Sequence, residues 1–194
     1  MGKQIWKPGN MLYPLPAVMV SAADKTGRAN IITVAWAGTV CSDPAMVSIS
    51  VRKERFSHHM LLETGEFVIN LTTEKLAKAA DICGVKSGRD VDKFRLAGLT
   101  PLPASAVKAP LIGESPVNIE CRVRQVLELG SHDMFLAEVL AVQADEALLD
   151  EKNRFHLEKA GLIAYSHGTY YSLGKALGTF GYSVRKKGKT GGRK

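Results

Sequence analysis

The cleanest pattern in the chain runs from Asn118 to Leu129. Ile119, Cys121, Val123, Leu127 and Leu129 alternate with Asn118, Glu120, Arg122, Arg124 and Glu128, and only Gln125 and Val126 break the alternation. A period of two sets one group on each face of a pleated strand. Gly130-Ser131-His132 then turns the chain, and Met134 to Val142 returns, apolar on both faces except at Glu138. Two long strands joined by so short a turn make a hairpin. A strand apolar on both faces is expected to be covered on both.

The rest of the chain reads as shorter pieces of the same kind. Pro16 to Ala23, Asn30 to Ala37 and Ala45 to Val51 are apolar runs, the last two rich in β-branched residues, with Asp24-Lys25-Thr26-Gly27 and Ser42-Asp43-Pro44 as turns between them. These predict strands in a meander. Ser57 is placed to cap a helix from His58 to Thr64 that Gly65 closes. Glu66 to Leu71 returns to strand. Leu76, Ala77, Ala80 and Cys83 fall at helical spacing in Thr73 to Cys83, with Gly84 as the stop. Asp90 to Ala97 predicts another short helix, and Pro101 to Pro110 a loop. From Gly161 to Val184, short apolar pieces are punctuated by glycines. There is no internal repeat. The fold class expected is mainly β, a barrel or sandwich with helical insertions.

Composition narrows this further. With 194 residues, 45% of them hydrophobic and 23% charged, the chain is long enough for one domain with a real core, so disorder over most of it is excluded. The formal charge is +7. Six cations (Arg185, Lys186, Lys187, Lys189, Arg193 and Lys194) and no acid fall in the last ten residues, which leaves +1 on the other 184. The expectation is therefore a domain over 1–184 and a solvated, disordered basic tail over 185–194. A near-neutral body argues against a nucleic-acid module. Cys41, Cys83 and Cys121 are far apart, with no metal-ligand spacing and no disulfide framework, which suits a reducing cytoplasm. No apolar run resembles a signal peptide at the start, and none approaches membrane-spanning length. A soluble, cytoplasmic protein that binds no metal is expected.

The dinucleotide fingerprint Gly-x-Gly-x-x-Gly, the P-loop, His-Glu-x-x-His and the Gly-x-Ser-x-Gly elbow are all absent. Three polar patches remain. In Ser48 to His59, a strand with hydroxyls on one face runs into Arg52, Lys53 and Arg55, and Ser57 opens a helix. Cations beside free backbone N–H groups suit a phosphate. In Lys86-Ser87-Gly88-Arg89-Asp90, a loop carrying cations and a hydroxyl leads to Lys93. In Tyr165 to Tyr171, His167 and three tyrosines among glycines could line a planar ligand. Each patch also has a plain reading, as a solvated basic turn, a solvated loop with a helix cap, and a sheet edge with aromatic cross-strand pairs. His132, at a turn, and His156 carry no functional signal.

The order of residues in NIITVAWAGTVCSDPAMVSISVRKERFSHHMLLETGEFVINL (30–71), followed by KSGRDVDKF (86–94) and YYSLGKALGTFGYSVRKK (170–187), resembles the signature of the flavin reductase-like family of FMN-binding split barrels, in its flavoredoxin branch. The resemblance runs from Met11 to Val184. It implies a six-stranded Greek-key split β-barrel with α-helical additions. It also implies a homodimer that holds FMN non-covalently near the subunit interface. Carried onto this sequence, Thr33, Val34, Ala35 and Trp36 match the segment that meets the isoalloxazine, and Ser50, Val51 and Arg52 the segment along the ribityl chain. Arg55, Phe56, Ser57 and His58 match the phosphate end, with Ser57 where many relatives carry Thr. Lys86, Ser87 and Lys93 match a loop near the flavin. Tyr170 and His167 match a segment that approaches the open flavin face, with His167 as the catalytic candidate. The activity implied is an FMN-dependent oxidoreductase that moves electrons from NADH or NADPH to flavin or onward to an acceptor. The alternative is an FMN electron carrier that serves a protein partner without efficient nicotinamide turnover.

Overall fold

A computed structural model describes residues 1–185; the basic tail from Lys186 onward lies outside them. Seven antiparallel strands form the main sheet: β2 (Val18–Ala23), β3 (Ala29–Val34), β4 (Ala37–Ser42), β5 (Ala45–Arg52), β6 (Glu66–Leu71), β9 (Val117–Glu128) and β10 (His132–Ala144). Their order is β3-β2-β6-β9-β10-β5-β4, so consecutive strands β3 and β4 lie at opposite edges. Only Ala35 and Trp36 join them. Two edges tethered that closely force the sheet to curl into a barrel, yet β3 and β4 do not pair, so the barrel is split along that seam.

The interior is filled by alternate residues of these strands: Val18, Val20, Ala22, Ile32, Val34, Val47, Ile49, Val51, Phe67, Ile69, Cys121, Phe135 and Ala137. Helix α1 (Phe56–Thr64) adds Met60 and Leu61 to the same core. A second core forms outside the barrel, where helices α2 (Ala77–Val85) and α3 (Lys93–Ala97) lay Ala80, Cys83 and Phe94 over Met19 and Ile31. All six residues of β2 are buried because its two faces serve the two cores. The chain ends in a hairpin, β11 (Ile163–Ser166) and β12 (Thr169–Ser172), which pairs with the short β1 (Leu15–Pro16).

Mainly β and split barrel describe this fold, but several boundaries differ from the sequence reading. The strand expected over Asn30 to Ala37 breaks at Val34, which gives the main sheet its seventh strand. Helix α1 starts at Phe56 with Arg55 as its N-cap residue and no side-chain cap, so Ser57 sits inside the first turn and does not cap it. Helix α2 follows a 3₁₀ turn over Glu74–Leu76 and runs through Gly84. Helix α3 opens at Lys93, where the Asp92 carboxylate accepts from the Arg95 N–H at 3.2 Å. The Pro101–Pro110 segment begins with strand β7 (Pro101–Leu102), which pairs with β8 (Leu111–Ile112). Strand β10 is not covered on both faces: Asp133, Phe135 and Ala137 are buried, Met134 and Leu136 only half-buried, and Val142 exposed.

The loop across the barrel's outer face is tied to one buried carboxylate. Glu120 accepts hydrogen bonds from Ser105 N (3.1 Å), Ser105 Oγ (2.7 Å), Ala106 N (2.5 Å) and Gln143 Nε2 (2.8 Å). Burial opposes its ionisation, but these donors outweigh burial and hold its pKa at about 2, below the ordinary 4.5. A folded-state pKa below the unfolded one stabilises the fold above about pH 4.5, and that stability is lost as pH falls toward 2. Glu120→Gln should therefore cost about 1–3 kcal/mol at pH 7. It should also flatten the loss of stability between pH 4.5 and 2. Urea unfolding at pH 7 and pH 3 checks both, and equal pH dependence in the two proteins would contradict the assignment.

Candidate functional site

The seam of the barrel opens into a cavity of about 350 Å³. Thr33, Val34, Ala35 and Trp36 line it from the end of β3 and the link to β4, and Ser50, Val51 and Arg52 from the end of β5. The two walls are stitched together by the Ser50 N–H, which donates to the Trp36 carbonyl at 2.8 Å. The end of α2 contributes Gly84 and Val85. A Cβ on Gly84 would lie 3.3 Å from the Thr33 Cβ, so the helix reaches β3 this closely because no side chain intervenes. Tyr165 and Tyr170, paired across the β11–β12 hairpin, close the far side, and the Tyr170 hydroxyl donates to Asp81 Oδ1 at 3.4 Å.

His132 also lines this cavity. Its ring lies nearly parallel to Trp36, with centroids 6.2 Å apart and an interplanar angle of 12°. Burial, and then the nearby Arg52 guanidinium, push its pKa below the ordinary imidazole value. In the sequence this residue reads as part of a turn. Pairing of β10 with β5 sets His132 directly opposite Arg52, so the register of the hairpin was the signal that could have found it. Asp81 carries no such signal in the sequence, and only the fold brings it to the cavity beside Tyr165, one of the three tyrosines of the third patch.

A second cavity of about 220 Å³ adjoins the first, with Ile32 and Arg55 lining both. Arg55, Lys86, Arg89 and Lys93 bring four cationic side chains to it, and Glu54 one carboxylate. Asn30 Nδ2 donates to Ser57 Oγ at 2.8 Å, with both residues buried. The Ser57 hydroxyl is then free to donate its own hydrogen into the cavity. Lys93 Nζ, also buried, donates to the carbonyls of Ile31 (2.7 Å) and Cys83 (2.8 Å) and keeps one N–H in reserve. Burial pushes its pKa down to about 8. The 86–90 loop, which carries Ser87, is clamped by Arg28. That guanidinium donates to the Gly88 carbonyl at 2.6 Å and lies 4.7 Å over the Phe56 ring. The arrangement suits an anion held in a partly dry cleft.

Two expected site residues are not there. His58 turns away from both cavities, and its Nε2 lies 2.7 Å from Asp133 Oδ2 inside the barrel. Neighbours on a helix point about 100° apart, so with Ser57 facing the cavity His58 faces the core. His167 occupies the tip of the β11–β12 hairpin at φ +46°, exposed, with its ring 4.5 Å from that of Tyr13. Alternation along the hairpin sends Tyr165 and Tyr170 to the cavity and leaves the tip outside. Thr33, Val34, Ala35, Trp36, Ser50, Val51, Arg52, Arg55 and Tyr170 surround the first cavity. Arg55, Phe56, Ser57, Lys86, Ser87 and Lys93 surround the second. Among the described residues, no group of three or more metal-ligating side chains gathers.

A split barrel with a partly aromatic cavity beside a cationic one suits a planar ligand with an anionic tail. The family model for the flavin reductase like domain matches residues 11–174, and the chain belongs to that family. An uncharacterized protein of Archaeoglobus fulgidus is 33% identical over 142 residues, which cover 73% of this chain and 78% of that protein. Flavoredoxin of Desulfovibrio vulgaris (Miyazaki F) superposes with a TM-score of 0.87 at 31% identity, covering 95% of this chain and all of that one. An FMN-binding protein from Thermus thermophilus superposes with a TM-score of 0.74 at 26% identity, covering 89% of this chain and 95% of that one.

Gly88 tests how tightly the cationic cavity is built. A Cβ there would fall 2.2 Å from Asn30 Oδ1 and 2.7 Å from Phe56 Cδ1. Gly88→Ala must displace the amide that orients Ser57, and should cost about 1–3 kcal/mol. Chemical denaturation measures this. A variant as stable as the parent would show that the loop does not sit against Asn30.

Proposed function

We propose that this protein is an FMN-dependent oxidoreductase that takes electrons from NADH or NADPH and passes them to flavin or to a further acceptor. The observation that carries this reading is the adjacency of the two cavities, one with aromatic and backbone walls and the other with four cations and the buried Ser57 hydroxyl, with Ile32 and Arg55 lining both. Arg55, Ser57, Lys86, Ser87 and Lys93 would hold the phosphate. Thr33 to Trp36 and Ser50 to Arg52 would hold the ring and its polyol chain. FMN, once bound, supplies the hydride-accepting chemistry. The protein then has only to orient two flat rings and exclude water, which needs no triad and no metal. His132 and Trp36 form the rim against which a nicotinamide would lie.

A carrier role toward a protein partner, without efficient nicotinamide turnover, is favoured by the likeness to the flavoredoxin of Desulfovibrio vulgaris. A homodimer fits the exposed Trp6, Leu12, Leu177 and Phe180 at the two described ends of the chain. Three free cysteines fit a cytoplasmic setting. No helix of the described residues is long and apolar enough to cross a membrane.

Anaerobic addition of NADH or NADPH to the FMN-loaded protein separates the two roles. Bleaching by nicotinamide supports the reductase, and bleaching by dithionite alone supports the carrier. Arg55→Ala and Ser57→Ala should each weaken FMN binding by about 1.5–3 kcal/mol, the worth of a charge-assisted hydrogen bond. Unchanged affinity in both would place the phosphate elsewhere. His132→Ala should slow nicotinamide oxidation by roughly tenfold or more while changing FMN affinity less, and His167→Ala should change neither. Stopped-flow reduction of both variants tells them apart.

A further inference from the structure

His58 and Asp133 line neither cavity, yet they form a short polar contact inside the barrel. His58 Nε2 and Asp133 Oδ2 are 2.7 Å apart, and both side chains are more than nine-tenths buried. The imidazole packs edge-on against Phe135, with ring centroids 5.7 Å apart. Lys53 Nζ stands 3.3 Å from Asp133 Oδ1 and 3.0 Å from Glu128 Oε2, at the mouth of the same hairpin. Burial opposes ionisation of Asp133, but the contacts from His58 and Lys53 outweigh it and keep its carboxyl below the ordinary range. A buried carboxylate needs such partners, and removing one of them leaves the charge stranded.

The two partners sit one residue away from opposite ends of the site. His58 follows Ser57 in the first turn of α1, the turn that delivers Arg55 and Ser57 to the cationic cavity. Asp133 follows His132 at the start of β10. Successive strand residues point to opposite faces, so an Asp133 held inward leaves His132 outward, against Trp36 and the first cavity. Helix α1 packs chiefly on β2 and β3. The His58–Asp133 contact is a polar tie from that helix to the other wall.

We propose that the His58–Asp133 pair is a positioning strut that fixes the phosphate-facing turn of α1 relative to the His132–Trp36 rim, so that one ligand can occupy both cavities at once. Two weak subsites add their affinities only when their spacing matches the ligand. The strut would therefore matter for FMN, which on that reading would span both cavities, and much less for riboflavin, which lacks the phosphate. This rests on the flavin reading above.

The test compares FMN with riboflavin. In the unaltered protein, FMN should bind about tenfold or more tighter than riboflavin. His58→Phe combined with Asp133→Leu replaces both partners by apolar groups of similar size, which preserves folding better than breaking the pair from one side. The double variant should remain folded and lose roughly fivefold or more of that preference. His58→Gln can still donate to Asp133 and should keep the preference. Arg55→Ala should matter less in the double variant than in the parent.

A second readout needs no ligand. With Trp6→Phe, Trp36 is the sole tryptophan of the chain, and its emission should shift in the double variant and not in His58→Gln. An unchanged preference together with unchanged Trp36 emission, whatever happens to the melting temperature, would overturn the strut and leave the pair as core packing. If the unaltered protein binds neither flavin, the flavin reading fails, and Trp36 emission alone decides whether the pair positions the rim.

Discussion

The two residues between β3 and β4 constrain everything else in this molecule. Ala35 and Trp36 connect opposite edges of a seven-stranded sheet. A link that short cannot cross a flat sheet, since each residue spans at most about 3.6 Å. The sheet must therefore curl until its edges meet. They meet without pairing, and the end of β3 and the two-residue link line the cavity. Backbone N–H and C=O groups at such an edge are unsatisfied by strand pairing and available to a ligand. The Ser50 N–H to Trp36 carbonyl bond ties that link to the end of β5, the other wall of the cavity. The fold thus places its candidate site where the barrel fails to close.

The second cavity depends on a different principle, the placing of buried polar groups so that each has one unused hydrogen. Asn30 saturates one side of Ser57 and Gly88 leaves room for that amide. The carbonyls of Ile31 and Cys83 take two of the three hydrogens on Lys93. What is left over points at a cleft already rich in positive charge. Such a site is organised before the ligand arrives, so little ordering has to occur on binding. Helices α2 and α3, packed outside the barrel, bring Gly84 to the first cavity and Lys93 to the second.

Much of the architecture was legible in the sequence, and the reasons are local. The alternation in Asn118–Leu129 and the β-branched runs before it state a strand period that no helix can satisfy. The glycine at position 65 marked the end of α1 because it takes the left-handed conformation there, at φ +66°. What failed was choosing between adjacent residues. Ser57 looked like a cap and is instead a buried hydroxyl that accepts from Asn30. His58 shared the motif but faces the core, because a helix can present only one of two neighbours to a given cleft. His167 shared a motif with Tyr170 but sits at a hairpin tip. His132 looked like a turn residue and became part of the site through its cross-strand register with Arg52. Periodicity reports that two faces exist; register and helix phase decide which residue looks where, and those depend on contacts far apart in the chain.

The central claim is that one ligand bridges a flat-walled cavity and a cationic cavity. A crystal structure of the protein grown with FMN tests it most directly. The account predicts the phosphate within hydrogen-bonding distance of Arg55, Ser57 and Lys93, with the ring system against Thr33 to Trp36 and facing Tyr170. A flavin bound with its phosphate outside the Arg55–Lys93 cleft, or with its ring away from the β3–β4 seam, would contradict it.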